Sequence, residues 1–203
     1  RQIALTFDDG PDPEVTPRVL DILDRYGAAA SFFCIGERVR AYPRIAAEIA
    51  RRGHSVENHS LTHPIPFGFY GPTALRREIE GTQRAISEAI GRLPAYFRAP
   101  FGIRSPMLEP VIARLGLQLA SWTRRGIDTV DGKADNVAGR LWQGLAAGDI
   151  LLLHDRIGAR TADGTPVALA VLPMLLARIK DAGLASVSLT IGCDERAAHP
   201  RVA

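Results

Sequence analysis

The residues of this sequence with the most distinctive chemistry begin with two adjacent carboxylates, Asp8 and Asp9, in the string TFDDGP. They follow an apolar stretch, and the Gly-Pro after them is typical of a sharp turn on which neighbouring side chains diverge. One carboxylate could then reach a metal ion while the other reaches a water molecule. The same residues are also ordinary turn chemistry, so the pair alone leaves both interpretations open.

Two histidines four residues apart, His59 and His63, lie in the string HSLTHP. Histidines at this spacing can face the same way on one helical turn, which is how paired imidazoles commonly bind zinc. With one carboxylate they would form a site with open coordination positions, which suits catalysis better than structure. Taken alone they could equally be surface or core histidines. The nearby His54 is interpreted as structural.

The string RAPFG at residues 98–102 supplies an arginine and a tight turn. Arg98 cannot deprotonate, so it suits pairing with a carboxylate, either in a catalytic site or in a structural ion pair. Phe101 is the first residue after Pro100 with a backbone N–H. That group could face a developing oxyanion.

A third histidine, His154, ends the very apolar string LLLHD at residues 151–155. Held by a carboxylate, it could act as a general acid near neutral pH. Asp128, in the preceding loop, and Asp155, the next residue, are the two candidate partners.

An aromatic loop follows His63, with Phe67, Phe69 and Tyr70 in the string PIPFGFYGP. It could stack on a sugar ring. The alternative is a hydrophobic plug between helices.

These residues follow apolar stretches of strand length. The predicted strands cover residues 2–7, 29–35, 55–58, 95–99, 118–123, 149–154 and 185–189. Strands buried on both faces and separated by helices indicate a parallel sheet. Seven such units favour a small, incomplete (β/α) barrel, with an open doubly wound sheet as the alternative. In β/α barrels functional groups gather at the carboxyl ends of the strands, where these polar clusters lie.

The helices are predicted from capping residues and apolar periodicity. They cover about 16–26 with Thr16 as N-cap, 75–90 ending at Gly91, a segment capped by Asp135, and about 171–179. A helix within 105–115 would contain Pro110, so it could begin only there.

The composition is that of one soluble globular domain spanning residues 1–203, with 46% hydrophobic and 23% charged residues. The apolar stretches are too short to span a membrane, and no signal-peptide pattern is present. The net charge is +3, and the basic residues are scattered, which favours a solvated surface over nucleic-acid binding. Cys34 and Cys193 have no ligand spacing, and Cys34 is predicted to be buried.

Taken together and in order, the four strings resemble the polysaccharide deacetylases with a NodB-homology domain, carbohydrate esterase family 4. The matches run from Thr6 to Asp155, and the ordered set is far more specific than any one string. The resemblance implies a distorted (β/α) barrel, a single divalent metal ion and an acetylated saccharide as substrate.

The resemblance also implies a role for each matched residue. Asp9, His59 and His63 would be the metal ligands. Asp8 would be the general base, oriented by Arg98, and His154 the general acid, with its pKa tuned by Asp128. Leu153 would help line the pocket for the acetyl group. Zinc is the default ion for such ligands, although cobalt, nickel or manganese could occupy them.

One departure concerns the residue after Asp128, which is Thr129 here and tryptophan in many family members. Trp122 could fill part of that role, and Tyr70 is a further candidate to contact substrate. Removal of N-acetyl groups is the leading hypothesis. The alternatives are removal of O-acetyl groups, removal of an acetyl or formyl group from a small nucleotide-linked or lipid-linked sugar, or an inactive carbohydrate-binding relative. The resemblance favours the cell envelope or secretion.

Overall fold

The computed structural model describes residues 1–189 and contains one parallel β-sheet. Its strands are β1 (Gln2–Asp8), β2 (Ser31–Cys34), β3 (Ser55–Asn58), β4 (Tyr96–Phe97), β5 (Gln118–Leu119), β6 (Arg124–Arg125), β7 (Ile150–His154) and β8 (Ala185–Val187). The order across the sheet is β5-β4-β3-β2-β1-β7-β6, and β8 pairs with the first residues of β1. The central strand β1 therefore joins β2 on one side to β7 on the other.

The sheet is curled into an incomplete barrel, as the position of β5 and β6 requires. These two strands lie at opposite ends of the sheet order, which in a flat sheet would be about 29 Å apart. Only the crossing segment, residues 120–123, joins them, and it can span at most about 19 Å. The predicted barrel is confirmed. The single strand predicted over 118–123 is corrected to two short strands on opposite edges.

Helices cover the outside of the barrel. They are α1 (Val15–Tyr26), α2 (Gly36–Ala41), α3 (Pro43–Arg51), α4 (Pro72–Ile90), α5 (Leu108–Arg114), α6 (Ala134–Trp142) and α7 (Val167–Asp181), with short 3₁₀ turns at Ile65–Phe69 and Pro100–Gly102. Within the described residues, none of these helices has the length and apolarity needed to cross a lipid bilayer.

Strand alternation separates the core from the barrel interior. On β1, Ile3, Leu5 and Phe7 join the main hydrophobic core with α1 and α7, whereas Thr6 and Asp8 take part in a buried polar network. Successive side chains of a strand face opposite sides, so every second residue of β1 is available to the site. The predicted burial of Cys34 is confirmed, while Cys193 lies outside the described residues.

Three helices begin or are capped differently from what the sequence predicts. Helix α1 begins at Val15, and Asp12 Oδ1 accepts hydrogen bonds from the N–H groups of Glu14 and Val15, so Thr16 is not the cap. Asp135 lies inside the first turn of α6 without a capping bond. Helix α5 begins two residues before Pro110, because N–H groups in a first turn need no helical partner.

Truncation of a core side chain on α1 is expected to destabilise the protein. Leu20 is 0% exposed, so Leu20→Ala should lower the free energy of unfolding by about 2–5 kcal/mol. Leu93, which is 64% exposed, provides the matched control, and Leu93→Ala should change it by less than about 0.5 kcal/mol. Urea unfolding followed by circular dichroism measures both, and equal losses would contradict this packing.

Candidate metal and catalytic site

Asp9, His59 and His63 come together at the carboxyl ends of β1 and β3. Asp9 Oδ1 lies 3.6 Å from Nε2 of each histidine, and one ligand atom from each residue falls within 4.8 Å of the others. The three residues predicted as ligands therefore lie together, because the loops after β1 and β3 leave the same edge of the parallel sheet on either side of β2.

The donor atoms of this triad fit a divalent cation. Ligands of a tetrahedral zinc site with bonds of about 2.1 Å are about 3.4 Å apart, close to the 3.6 Å separations between Asp9 and the histidines. Asp9 Oδ1 is also buried without a hydrogen-bond partner among the described residues. A buried carboxylate oxygen is costly to leave unpaired, and a cation would satisfy it.

Both imidazoles are prepared to act as ligands. His59 donates a hydrogen bond from Nδ1 to the Arg98 carbonyl oxygen, 2.9 Å away, which leaves the lone pair of Nε2 facing Asp9. Burial and the neighbouring His59 hold the pKa of His63 below its ordinary value. A neutral His63 ring is the form that can bind a metal.

The loop between the two histidines is held by Glu78 of α4. Its Oε2 accepts hydrogen bonds from the N–H groups of Leu61 and Thr62, at 3.0 and 2.9 Å, and Oε1 accepts one from the Thr62 hydroxyl. The sequence analysis did not single out Glu78. The feature that could have indicated it is its position directly before Ile79, at the edge of the apolar face of this helix.

Arg98 fixes Asp8 from below the site. Nη1 donates hydrogen bonds to Asp8 Oδ1 at 2.6 Å and to the Thr6 hydroxyl at 2.8 Å, and Nη2 donates to the Ser121 carbonyl at 3.0 Å. The guanidinium also lies 3.9 Å from the centre of the Phe33 ring. Arg98 and Asp8 are both almost fully buried, so this is a desolvated ion pair with further hydrogen bonds.

Asp8 is ionised in this environment. Burial alone would raise the pKa of Asp8, but the positive charges of Arg98 and His154, together with the Arg98 hydrogen bond, lower it below the ordinary value. The result is a carboxylate with one oxygen bound to Arg98 and the other 3.7 Å from His59 Nε2.

Of the two candidate partners of His154, the structure shows Asp128 bound to it. Asp128 Oδ1 lies 2.9 Å from Nδ1 of the ring, and Oδ2 accepts the His154 backbone N–H at 2.7 Å. Burial lowers the pKa of His154, but the hydrogen bond and charge of Asp128, with the charges of Asp8 and Asp9, outweigh it and raise the pKa to about 9. The ring is therefore protonated at neutral pH.

Asp155 instead supports the turn that carries Asp9. Asp155 Oδ2 accepts a hydrogen bond from the Thr16 hydroxyl at 2.6 Å, and a Cβ on Gly10 would lie 2.3 Å from that oxygen. Burial, with the nearby charges of Asp9 and Asp12, raises the pKa of Asp155 to about 7 despite the Thr16 hydrogen bond. Gly10 thus lets the chain pass directly against this carboxyl group.

These groups open onto one cavity of about 360 Å³. Asp8, Asp9, His59, His63 and His154 all line it. The rest of its wall includes Phe101, Trp122, Arg125, Thr129, Ile65 and Leu152. The Asp9-His59-His63 triad, the Asp8 carboxylate and the protonated His154 ring therefore face the same cavity.

The placement of Leu153 corrects the sequence prediction by one residue. Leu153 is fully buried in the main core with Leu151, whereas Leu152 lines the cavity. Alternation along β7 puts Leu152 on the same face as His154, so Leu153 must point the other way.

Tyr70 is also not brought to the cavity. Its ring packs 6.1 Å from that of Phe67, which is buried in a second hydrophobic cluster, so this part of the loop is the predicted plug. Phe69 is 93% exposed on the surface.

Trp122 and Phe101 do line the cavity. The Phe101 ring lies 4.6 Å from that of His63 in an edge-on contact. A Cβ on Gly102 would lie 2.5 Å from the Trp122 ring, so the absent side chain of this glycine gives the indole its place.

Backbone strain is concentrated at the site. Non-glycine residues with positive φ in the described chain are Asp9, Ser60, His63, Phe101 and Ile127. Each is a ligand, lines the cavity or adjoins a site residue. Such conformations cost about 1–3 kcal/mol each and persist where the surrounding structure enforces them, which is common at functional sites.

Comparison with known proteins finds relatives that match most of this chain. Residues 1–120 match the family model described as polysaccharide deacetylase. A chitooligosaccharide deacetylase of Azorhizobium caulinodans is 34% identical over 154 residues, which are 75% of this chain and 73% of the relative. A peptidoglycan-N-acetylglucosamine deacetylase of Bacillus cereus is 34% identical over 85% of this chain and 81% of its own length.

The fold of this chain is also similar to that of a solved structure. The family 4 acetyl xylan esterase of Clostridium thermocellum, determined with a cobalt ion, superposes with a TM-score of 0.84 at 30% identity. The match covers 94% of this chain and 89% of that one.

Removal of the Glu78 carboxylate is expected to weaken metal binding although all three ligands remain. Glu78→Ala frees the backbone of Leu61 and Thr62, so we expect zinc affinity to fall about 10–100-fold, the usual effect of losing a residue that orients ligands. Competition with a chromogenic chelator measures it. Glu80→Ala on the same helix, where Glu80 accepts a hydrogen bond from exposed Arg76, should leave affinity unchanged. Equal affinity in both variants would contradict the role of Glu78.

Asp128→Asn is expected to lower the pKa of His154 from about 9 towards its ordinary value of about 6.5. Because the folded pKa is raised, the stabilisation by protonated His154 is complete below pH 6.5 and lost as pH rises through 9. Wild-type stability should therefore decline across that window, and the variant's should decline less. NMR titration of metal-free protein measures the pKa, and His54, with a pKa of about 4, should not change.

Proposed function

The chain belongs to the polysaccharide deacetylase family, and we propose that it hydrolyses N-acetyl groups of a saccharide at the cavity formed by β1, β3 and β7. The single observation that carries this assignment is the joint position of an ionised Asp8 and a protonated His154 beside the Asp9-His59-His63 triad. Peptidoglycan and chitooligosaccharides are the substrates named for its relatives, which supports an acetylated saccharide here and a location at the cell envelope or outside the cell.

Asp8 acts as the general base. Its ionised carboxylate accepts a proton from the water that attacks the acetyl carbonyl carbon, and Arg98 holds the carboxylate in place for that transfer. Arg98 also keeps the pKa of Asp8 low, so the group is ready in its proton-accepting form. The tetrahedral oxyanion that results faces the backbone N–H of Phe101.

His154 acts as the general acid. An amine leaves poorly as an anion, so the C–N bond breaks as the protonated ring gives its proton to the nitrogen. Asp128 holds Nδ1 and stabilises the imidazolium, which leaves Nε2 to deliver the proton. The products are acetate and a free amino sugar.

Asp9, His59 and His63 hold one divalent ion. When bound, such an ion would supply Lewis-acid chemistry, polarising the acetyl carbonyl and acidifying the attacking water. We infer zinc, because neutral imidazoles and one carboxylate are favoured zinc ligands. Cobalt, nickel and manganese use the same donor types, and the similar xylan esterase structure holds cobalt.

The test is acetate release from chitooligosaccharides, peptidoglycan fragments and acetylated xylan, before and after chelation and re-addition of single metals. We expect chelation to abolish release and zinc to restore it. Asp9→Ala and His63→Ala should lose both bound metal and at least about 10³-fold in kcat/KM, since metal and base act as one unit. His54→Gln serves as the histidine control, because His54 hydrogen-bonds Ala30 away from the cavity.

Three results would count against the proposal. They are wild-type turnover and metal content in either triad variant, full activity without metal, or saccharide binding with no acetate release from metal-loaded protein. The last would mark the chain as an inactive binding relative.

A further inference from the structure

Arg125 is a cation at the cavity without a carboxylate partner. It lies on β6 opposite Leu152, lines the cavity with Asp8 and His154, and is exposed. No ion pair joins it to an acidic residue within the described chain, residues 1–189. Among the lining residues in that part of the chain it is also the sole lysine or arginine.

The neighbouring Arg124 shows what an arginine with a structural role looks like on this strand. Arg124 donates hydrogen bonds to Asp149 Oδ2 at 2.7 Å and to the backbone carbonyls of Gln143 and Gly144. Alternation along β6 sends its side chain away from the cavity. Arg124 therefore ties the barrel to its outer loops, and Arg125 does not share that function.

Trp122 gives Arg125 a fixed platform. The Arg125 guanidinium carbon lies 5.8 Å from the centre of the indole ring, a distance at which the ring attracts a cation. The indole itself is seated against Gly102, where a Cβ would lie 2.5 Å from the ring. The arginine thus lies beside the cavity, and within residues 1–189 its guanidinium donates no hydrogen bond, which leaves these donors available to a ligand.

The other charges in the cavity are already matched. Asp8 pairs with Arg98, His154 pairs with Asp128, and the cation fit assigns Asp9 to the metal. Arg125 is left as an uncompensated positive charge on the wall. A planar guanidinium prefers a planar oxyanion such as carboxylate, which it can bind through two parallel hydrogen bonds.

We infer that Arg125 is a specificity-determining residue that binds a carboxylate of the saccharide, so that the preferred substrate is an acetylated sugar chain bearing carboxylates. The inference rests on the proposed deacetylase function and narrows its substrate class. The carboxylate could belong to the acetylated sugar itself, through an ether-linked lactic acid, or to a neighbouring uronic acid.

The test uses saccharides that differ only in the carboxyl group. One pair is a tetrasaccharide of N-acetylglucosamine and N-acetylmuramic acid and the same compound with its carboxyls reduced to alcohols. The other pair is a tetrasaccharide of N-acetylglucosamine and glucuronic acid and its reduced form. We expect wild-type protein to favour the acidic form of at least one pair about tenfold, equivalent to about 1.4 kcal/mol, and the pair that responds identifies the source of the carboxylate.

Arg125→Gln should abolish this preference, so that its kcat/KM is the same for the acidic and the neutral form of the pair. Arg125→Lys should retain part of it, because the charge remains while the two-pronged geometry is lost. Arg44→Gln, at an exposed position of α3, removes the same charge away from the cavity and should leave the preference for the acidic form unchanged. The preference should also weaken as salt is raised from 0.05 to 0.5 M, a change of about threefold in screening length.

Two readouts keep this inference separable from the proposed function. The first is kcat/KM for acetate release, and the second is Kd by calorimetry in EDTA, where no turnover competes. A preference in Kd without acetate release would refute the deacetylase function and leave the role of Arg125 standing. Equal values for acidic and neutral forms in wild type by both readouts, or a preference that survives in Arg125→Gln, would overturn the role of Arg125.

Discussion

The burial of two adjacent carboxylates at the end of the central strand is the constraint on which the rest of this site depends. Asp8 and Asp9 are 3% and 5% exposed, and charges at that depth are stable only when each is compensated. Arg98 compensates the first. The geometry assigns a cation to the second, with His59 and His63 completing the donor set. Breaking a buried pair by removing one partner typically costs about 3–5 kcal/mol, so Asp8 and Arg98 depend on each other.

That constraint explains why several separate segments contact the turn that carries Asp8 and Asp9. Thr6 and Ser121 of the crossing segment accept hydrogen bonds from Arg98. Arg98 therefore joins Asp8 to the segment that closes the barrel. Asp155 and Gly10 fit together behind the turn, while the chain accepts a left-handed conformation at Asp9 to separate the two carboxylates. The strain is local, and the hydrogen bonds and packing around it hold it in place.

The parts of the site that were predictable from sequence are those in which chemistry and chain position coincide. Asp9, His59 and Arg98 each come directly after a strand and His154 ends one, so the barrel alone brings them together. Glu78 left a signal as a carboxylate beside an apolar helix stripe, but its role could not be predicted, because its partners lie 16 and 17 residues away on a loop of irregular shape. Leu153 was assigned in place of Leu152 because both residues of an all-apolar strand look alike until the face occupied by the core is known. The split of the strand over 118–123 depends on which edges pair, which no local pattern encodes.

The strand order also has a consequence for how the protein is made. All three triad residues lie within the first 63 positions, on loops after β1 and β3, and these strands are joined through β2. By contrast, β1 completes its pairing only with the late strands β7 and β8, as in the hydrogen bond from the Thr6 hydroxyl to the Leu151 carbonyl across 145 residues. Long-range pairings of this kind form slowly because a large loop must close first. During synthesis Asp9, His59 and His63 therefore leave the ribosome before Arg98 and His154, so the triad emerges ahead of the ion pairs that join Asp8 to Arg98 and Asp128 to His154.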